Sequence, residues 1–321
     1  MRLMRVADSQ SVAMESKSSV LKRWGNRRFR FGTVSIPIWV PYAFIIPFFV
    51  IFIIFMLYPI IDTFVLSFEN WSSMGSKWVG LQNYKLIITD PGFWTSLLND
   101  AFVLLVQVPV MLFIATVLAV ALNNKSIRFK WLFRLLVFFP VLVDAVTYTI
   151  AFQIIFNTNF GVLNYLIHFL GIGNINWTGN PWAARMAIFI VVTWRWTGYN
   201  AIILLSGLQS VPDELYESAV VDGAGKVTSF FRITIPMLRP ILLFCAILST
   251  VGTLQLFTEP YILTAGGPGT ATETPMLYLY GIGFQNYNFG LASAGTYILT
   301  TIIGILSYLQ IRASKGGDYR A

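Results

Sequence analysis

Charge is scarce in this chain, and histidine and cysteine almost absent. Of 321 residues only 11% are Asp, Glu, Lys or Arg, against about 25% in an average soluble domain. The lone cysteine, Cys245, excludes an intrachain disulfide, and with His168 the only histidine, no spacing suggests a metal site. The same poverty leaves no nucleophile-and-base set from which an intramembrane enzyme could readily be built. What is present is apolar: 56% of residues are hydrophobic, 27 of them Phe. These are the proportions of an integral membrane protein. The net charge of +8 then reads as a topology signal rather than a nucleic-acid surface.

A membrane-crossing helix needs roughly 20 mostly apolar residues. Six stretches qualify, at about 41–67, 97–122, 133–156, 184–208, 237–262 and 289–312. The first follows some forty residues and is too long for a secretory signal, so it reads as a retained span. Pro and Gly inside these runs, such as Pro47, Pro109, Pro140 and Gly252, are tolerated where neighbouring helices re-satisfy the backbone. The expected fold is therefore all-α, with six transmembrane helices over residues 41–312, a basic extension at 1–40 and a short tail at 313–321.

Lys and Arg set the direction. They crowd the N-terminal segment, the connection holding Lys125, Arg128, Lys130 and Arg134, the one holding Lys226, Arg232 and Arg239, and the C-terminal tail. The opposite side has only Lys77, Lys85 and Arg185. By the positive-inside rule both termini are expected in the cytoplasm. The outer connections are rich in Trp, Tyr, Asn and Gly, with a short interfacial helix expected between Gly161 and Leu170. Arg27, Arg28 and Arg30, interleaved with Phe29 and Phe31, suit either a lipid-surface anchor or a disordered tail.

The most informative segment is the polar loop at 210–236. Ser210, with Asp213 three places on, suggests a capped short helix through about Val221. Gly223 permits a sharp turn. A second helical piece from about Lys226 should end or kink at Pro236. The result is a compact knob with Glu217 projecting from it. A nucleotide site fails on inspection, because Val220 and Val227 stand where a phosphate loop needs Gly and Ser/Thr.

The spacing Glu217-x-Ala219-x3-Gly223-x9-Ile233-x-Ile235-Pro236 resembles the E-A-A loop of bacterial ABC importer permeases, with Ser218 where a second Ala usually stands. Val79-Gly-Leu-Gln-Asn-Tyr84, Thr193-Trp-Arg-Trp-Thr-Gly-Tyr-Asn200, and Tyr261-Ile-Leu-Thr-Ala-Gly-Gly-Pro268 with Thr272-Glu-Thr274 look like segments of the maltose-type carbohydrate-uptake branch. The resemblance implies a type I importer permease fold in the bacterial inner membrane. It implies as partners a second homologous permease, two ABC ATPase subunits, an extracytoplasmic solute-binding protein, a sugar and membrane lipid, with no nucleic acid. ATP and Mg would be bound by the ATPases, with no cofactor and no enzyme activity on this chain. Glu217, Ser218, Ala219, Asp222, Gly223, Ala224 and Pro236 would carry the ATPase coupling. The chain lacks the large outer insertion and the eight spans of the maltose permease itself, and so looks like a compact form.

Polar groups inside a bilayer are costly unless they serve a cavity or a partner. Asp144, Thr147 and Tyr148 share one face of span three. Trp196, Tyr199 and Asn200 share one of span four, beside Arg195, and Gln255, Thr258 and Glu259 repeat the pattern in span five. On straight helices Asp144 and Arg195 both lie roughly 15 Å deep, which allows either an ion pair locking the two spans or a place on the solute path. Glu259 is expected near the outer mouth, either simply solvated or on the solute path. The candidate path residues are thus Asp144, Tyr148, Arg195, Trp196, Tyr199, Asn200, Gln255 and Glu259, with Tyr199, Asn200 and Gln255 foremost. An ion-coupled secondary transporter using Asp144 as a relay is the competing reading. It predicts inverted repeats and leaves the 217–236 spacing without a purpose.

Overall fold

A computed structural model describes residues 28–31, 34–37, 39–72, 75–124, 126–171 and 173–315. Most of the basic extension at 1–40 and the end of the tail at 313–321 therefore lie outside the described residues. The chain divides into two units at Val65.

The first unit holds an antiparallel hairpin, β1 (Arg28–Phe31) with β2 (Val34–Pro37), followed by α1 (Trp39–Leu66). None of the α1 residues that fall in this unit is buried. That suits a helix apolar on every side whose solvent is lipid. A π turn at Ile53–Leu57 contains Phe55, whose carbonyl would otherwise meet the ring of Pro59. Widening the turn lets the helix pass its proline unbroken.

The second unit opens with a hairpin, β3 (Glu69–Ser72) paired with β4 (Gly75–Trp78), and the short helix α2 (Gln82–Thr89). The long helix α3 (Pro91–Asn123) packs along α7 (Pro181–Leu208). Both begin six and three residues earlier than their apolar runs. Asp90 caps α3 through the Gly92 amide at 2.8 Å, and Asn180 caps α7 through the Trp182 amide at 3.0 Å. Each cap is followed by Pro at the first helical position, where its missing N–H costs nothing. Ala115 and Ala119 of α3 meet Ala201 and Leu204 of α7 in a fully buried seam that includes Cys245. Small residues there let the helix backbones approach closely.

The third expected span is broken. It forms α4 (Lys130–Leu142) and α5 (Ala145–Ile155), bent by 96°. Pro140 sits in the last turn of α4, and Val143 turns extended. The Asp144 carboxylate then accepts from the amides of Val146 and Thr147 at 3.0 and 3.4 Å, starting a new helix in a new direction. The outer connection that follows contains α6 (Val162–His168), inside the expected 161–170 window. Buried Asn164 fixes it, donating to the Thr158 and Ile175 carbonyls and accepting from the Trp177 indole.

The fifth span, α9 (Lys226–Thr253), differs from expectation at both ends. Pro236 does not end or kink a separate piece. A π turn at Phe230–Thr234 takes in Arg232, whose carbonyl would face the proline ring, and the helix runs on. At the far end the helix stops at Thr253 rather than 262, and residues 254–274 form an irregular segment with a π turn at Pro260–Thr264. The helix α10 (Pro275–Tyr280) and a π turn at Gly281–Gln285 lead into α11 (Phe289–Lys315). The described residues thus hold five continuous candidate spans and one bent pair.

Candidate functional site

The irregular segment after α9 is held by a polar net. Thr274 donates to the Leu256 carbonyl at 2.6 Å, and Thr272 to that of Gly267 at 2.8 Å. From α3, the Asn99 amide donates to the carbonyls of Thr270 at 2.6 Å and Glu273 at 3.2 Å. From α7, the Arg185 guanidinium donates to the Ala271 carbonyl at 3.0 Å and to Asn99 at 3.1 Å. The Tyr278 hydroxyl donates to Asp90. Burial first, then the Asp90 and Glu273 carboxylates, raise the Tyr278 phenol above its ordinary range. Burial likewise raises the Glu273 carboxyl.

Glu259 belongs to the same segment, immediately before its π turn. Glu259 is 5% exposed, so of its two readings the expectation of simple solvation near the outer mouth is corrected. That expectation counted depth along a helix which in fact ends at Thr253. The Glu259 carboxylate lies 4.0 Å from the Arg195 guanidinium. Tyr148 joins them, donating its hydroxyl to Glu259 and accepting from Arg195 at 2.6 Å. The guanidinium also sits over the rings of Tyr148 and Trp196, 4.6 and 5.2 Å from their centroids. Arg195 therefore pairs with Glu259 and not with Asp144, whose exposed carboxylate is spent on capping α5. The bend at Val143 turns α5 away from the straight path on which that pair was counted.

Beside this cluster lies a cavity of about 70 Å³, lined by Gln107, Trp196, Tyr199, Asn200, Ser249 and Thr253 among others. Trp196 and Tyr199 meet edge to face, 5.8 Å between centroids. Asn200 is 2% exposed and donates to the Trp196 carbonyl at 3.0 Å. Gln107 is 1% exposed, and its Oε1 has no hydrogen-bond partner among the described residues. A buried amide oxygen left unpaired is expensive, and the residue that carries it is part of the cavity wall. The two aromatic rings, two amides and two hydroxyls stand among Met111, Val192, Leu248 and Leu256, so the wall is mainly apolar with a few polar groups, a lining that can pack on a sugar ring and bond some of its hydroxyls.

The structure thus brings together Trp196, Tyr199 and Asn200 at the cavity, with Tyr148, Arg195 and Glu259 directly behind its wall. It leaves Asp144 and Gln255 exposed and apart from the cavity lining. Sequence reasoning missed Gln107, Ser249 and Thr253. The signal for Gln107 was a lone amide in the apolar run of span two. Ser249 and Thr253 share one helical face, four residues apart.

The 210–236 loop forms α8 (Asp213–Val221) and the start of α9. Ser210 does not cap α8. Its hydroxyl donates back to the Gly207 carbonyl at 2.7 Å, and Pro212 occupies the cap position without a side-chain bond. Asp213 and Glu214 in the first turn complement the helix dipole instead. The C-terminal end is a Schellman closure: the Gly223 amide donates to Val220, and the Ala224 amide to Ala219 at 2.8 Å. Gly223 takes a φ of +80°, a conformation that disfavours any side chain. No residue of α8 is buried. Glu217, Ser218, Asp222, Gly223 and Pro236 are exposed, Val220 and Val221 at 69% and 87%, while Ala219 and Ala224 are half-buried.

A helical membrane unit with a projecting loop of this spacing is a transporter permease. The family described as "Binding-protein-dependent transport system inner membrane component" matches residues 111–314, and the chain belongs to it. It is a multi-pass protein of the bacterial inner membrane and a transport component rather than an enzyme. The chain is 39% identical over 279 residues to the lactose transport system permease protein LacF of Rhizobium radiobacter, covering 85% of this chain and 93% of that protein. It is 34% identical to the arabinooligosaccharides transport system permease protein AraP of Halalkalibacterium halodurans, covering 87% and 90%. Its fold matches a chain of a bacterial ABC transporter involved in the import of the acidic polysaccharide alginate, with a TM-score of 0.76 over 87% of this chain and 96% of that one, at 20% identity.

Proposed function

We propose that this chain is one of two permease subunits of an ATP-driven importer that takes an oligosaccharide from a solute-binding protein, with ATP and Mg held on two separate ATPase subunits. The observation that carries the reading is the conjunction of the Schellman-closed loop around Gly223 with the uncharged cavity against α9. Helix α9 belongs to both, since it begins at the loop and its far half carries Ser249 and Thr253. A push on α8 and the start of α9 therefore reaches the cavity wall through one continuous helix. The relatives named for lactose and for arabinooligosaccharides support a sugar as the solute.

On this reading α8, both termini and the basic connections face the cytoplasm, as the distribution of Lys and Arg supports. Residues 1–40 form a basic extension, 41–312 the permease domain and 313–321 a tail. Glu217, Ser218, Ala219, Asp222, Gly223, Ala224 and Pro236 form the ATPase contact. Trp196, Tyr199 and Asn200 touch the sugar, with Gln107, Ser249 and Thr253. Tyr148, Arg195 and Glu259 shape that site from behind, while Asp144 and Gln255 border the path outside it.

The test is to co-express the chain with the second permease, the ATPase and the binding protein of its transport system and purify the complex. ATP hydrolysis should rise when the binding protein is loaded with sugar. Hydrolysis unaffected by loaded binding protein, or a complex without an ATPase, contradicts the proposal.

A further inference from the structure

None of the residues lining the cavity is Asp, Glu, Lys or Arg, yet a half-buried arginine lies directly behind its wall. The Arg195 guanidinium is 5.2 Å from the ring of Trp196, which faces the cavity. Val192 and Leu256, also in the wall, belong to the same packed cluster as Tyr148. The Arg195 side chain is 17% exposed, and its Nε has no hydrogen-bond partner among the described residues.

A cation this close to a water-poor cavity would draw in an anionic solute if nothing balanced it. Here Glu259 balances it at 4.0 Å, and the Tyr148 hydroxyl accepts from Arg195 at 2.6 Å while donating to Glu259. The cluster is neutral as a whole. The cavity is left with amides, hydroxyls and aromatic rings among the apolar side chains of Met111, Val192, Leu248 and Leu256, a lining that takes an uncharged sugar by hydrogen bonds and by packing on its C–H faces. It offers no counter-charge to a carboxylate, sulfonate or phosphate that must shed its water to enter.

We infer that the Arg195–Glu259 pair is a specificity determinant: Glu259 masks Arg195 so that the cavity accepts neutral saccharides and rejects acidic ones. The inference rests on the oligosaccharide reading above and narrows its substrate class. A pair that merely fastened α7 to the segment beyond α9 would explain the burial equally well. It would not make the discrimination between neutral and acidic sugars depend on Glu259.

The complete transporter, in nanodiscs and without binding protein, is titrated with neutral trisaccharides (maltotriose and arabinotriose) and with trigalacturonate, binding being read from tryptophan fluorescence. The wild type should bind at least one neutral trisaccharide and discriminate against the uronate. Glu259→Gln should improve the uronate-to-neutral affinity ratio roughly tenfold. Arg195→Gln/Glu259→Gln, which removes both charges, should restore the wild-type preference. Should Glu259→Gln fail to assemble, Tyr148→Phe, which weakens the mask but keeps both charges, should raise the ratio by about twofold. An unchanged ratio in the assembled variants overturns the inference, as does a wild type that prefers the uronate. A wild type that binds no saccharide overturns the oligosaccharide reading and this inference with it.

Discussion

The hydroxyl oxygens of Tyr216 and Thr234 lie 3.0 Å apart. Tyr216 is half-buried on α8, and Thr234 is 3% exposed in the π turn at the start of α9. This is a direct polar bond between the projecting helix and the rod that reaches the cavity. A hydrogen bond of this kind contributes about 1 kcal/mol, too little to hold the fold but enough to set how α8 and α9 move together. Tyr216→Phe and Thr234→Val should each lower sugar uptake per ATP hydrolysed by a few-fold while leaving assembly intact. The double variant should be no worse than either single one. Additive losses would show that the two hydroxyls act separately.

Gly223 closes α8 at a φ of +80°. A β-branched residue there costs roughly 1–2 kcal/mol of backbone strain and loosens the Schellman closure. Gly223→Val should abolish uptake with membrane insertion unchanged. Glu217→Ala should do the same without touching the backbone, because Glu217 is exposed and is proposed as an ATPase contact. Wild-type transport by either variant counts against the assignment of this loop to ATPase coupling.

Gly198 of α7 lies against α4 so closely that a Cβ would run into the backbone carbonyl of Val137. Backbone atoms cannot swing aside as a side-chain tip can. Gly198→Ala should therefore cost about 1–3 kcal/mol through overpacking, read as a lower melting temperature in detergent. Gly225→Ala, where nothing lies within reach of a Cβ, is the control and should melt as the wild type does.

The Glu273 carboxyl is raised by burial, so the folded protein holds that proton more tightly than the unfolded chain does. The penalty for ionising Glu273 in the fold is present above its folded pKa, shrinks as pH falls through it, and vanishes below the unfolded value near 4.3. Glu273→Gln removes this penalty. It should stabilise the protein slightly at neutral pH, with the advantage over wild type fading on acidification. An advantage that grew on acidification would have the wrong sign.

Features determined within a few neighbouring residues were legible in the sequence. In the loop at 210–236 the short helix, the turn at Gly223 and the helical restart at Lys226 are legible because turn and helix signals act locally, whereas the Ser210 cap and the stop at Pro236 are not found. The apolar runs marked the spans for the same reason. The starts of α3 and α7 were legible in principle, since Asp90-Pro91 and Asn180-Pro181 are cap-and-proline pairs, but hydropathy alone placed them late. What failed was depth. Counting 1.5 Å per residue assumes an unbroken helix, and the chain breaks at Val143 and after Thr253. That error allowed solvation for Glu259 near the outer mouth and offered Asp144 as a partner for Arg195. Pro140 was no warning, because membrane helices often carry proline: α9 passes Pro236 by widening one turn, while α4 ends two residues after Pro140. The cavity was only partly legible. Each wall residue lies on a helix whose rotation is set by tertiary packing, so Gln107 and Ser249 became neighbours of Asn200 only in the folded protein.

The central claim is that this chain moves solute only when a separate motor drives it. The most direct measurement is solute accumulation in sealed vesicles containing the purified chain, alone or with its second permease and ATPase. The saccharide-loaded binding protein is supplied outside, and ATP or an ion gradient is imposed. Accumulation should occur only with the full set of subunits and ATP inside the vesicle. Uptake by the chain alone, driven by the ion gradient, would contradict the account.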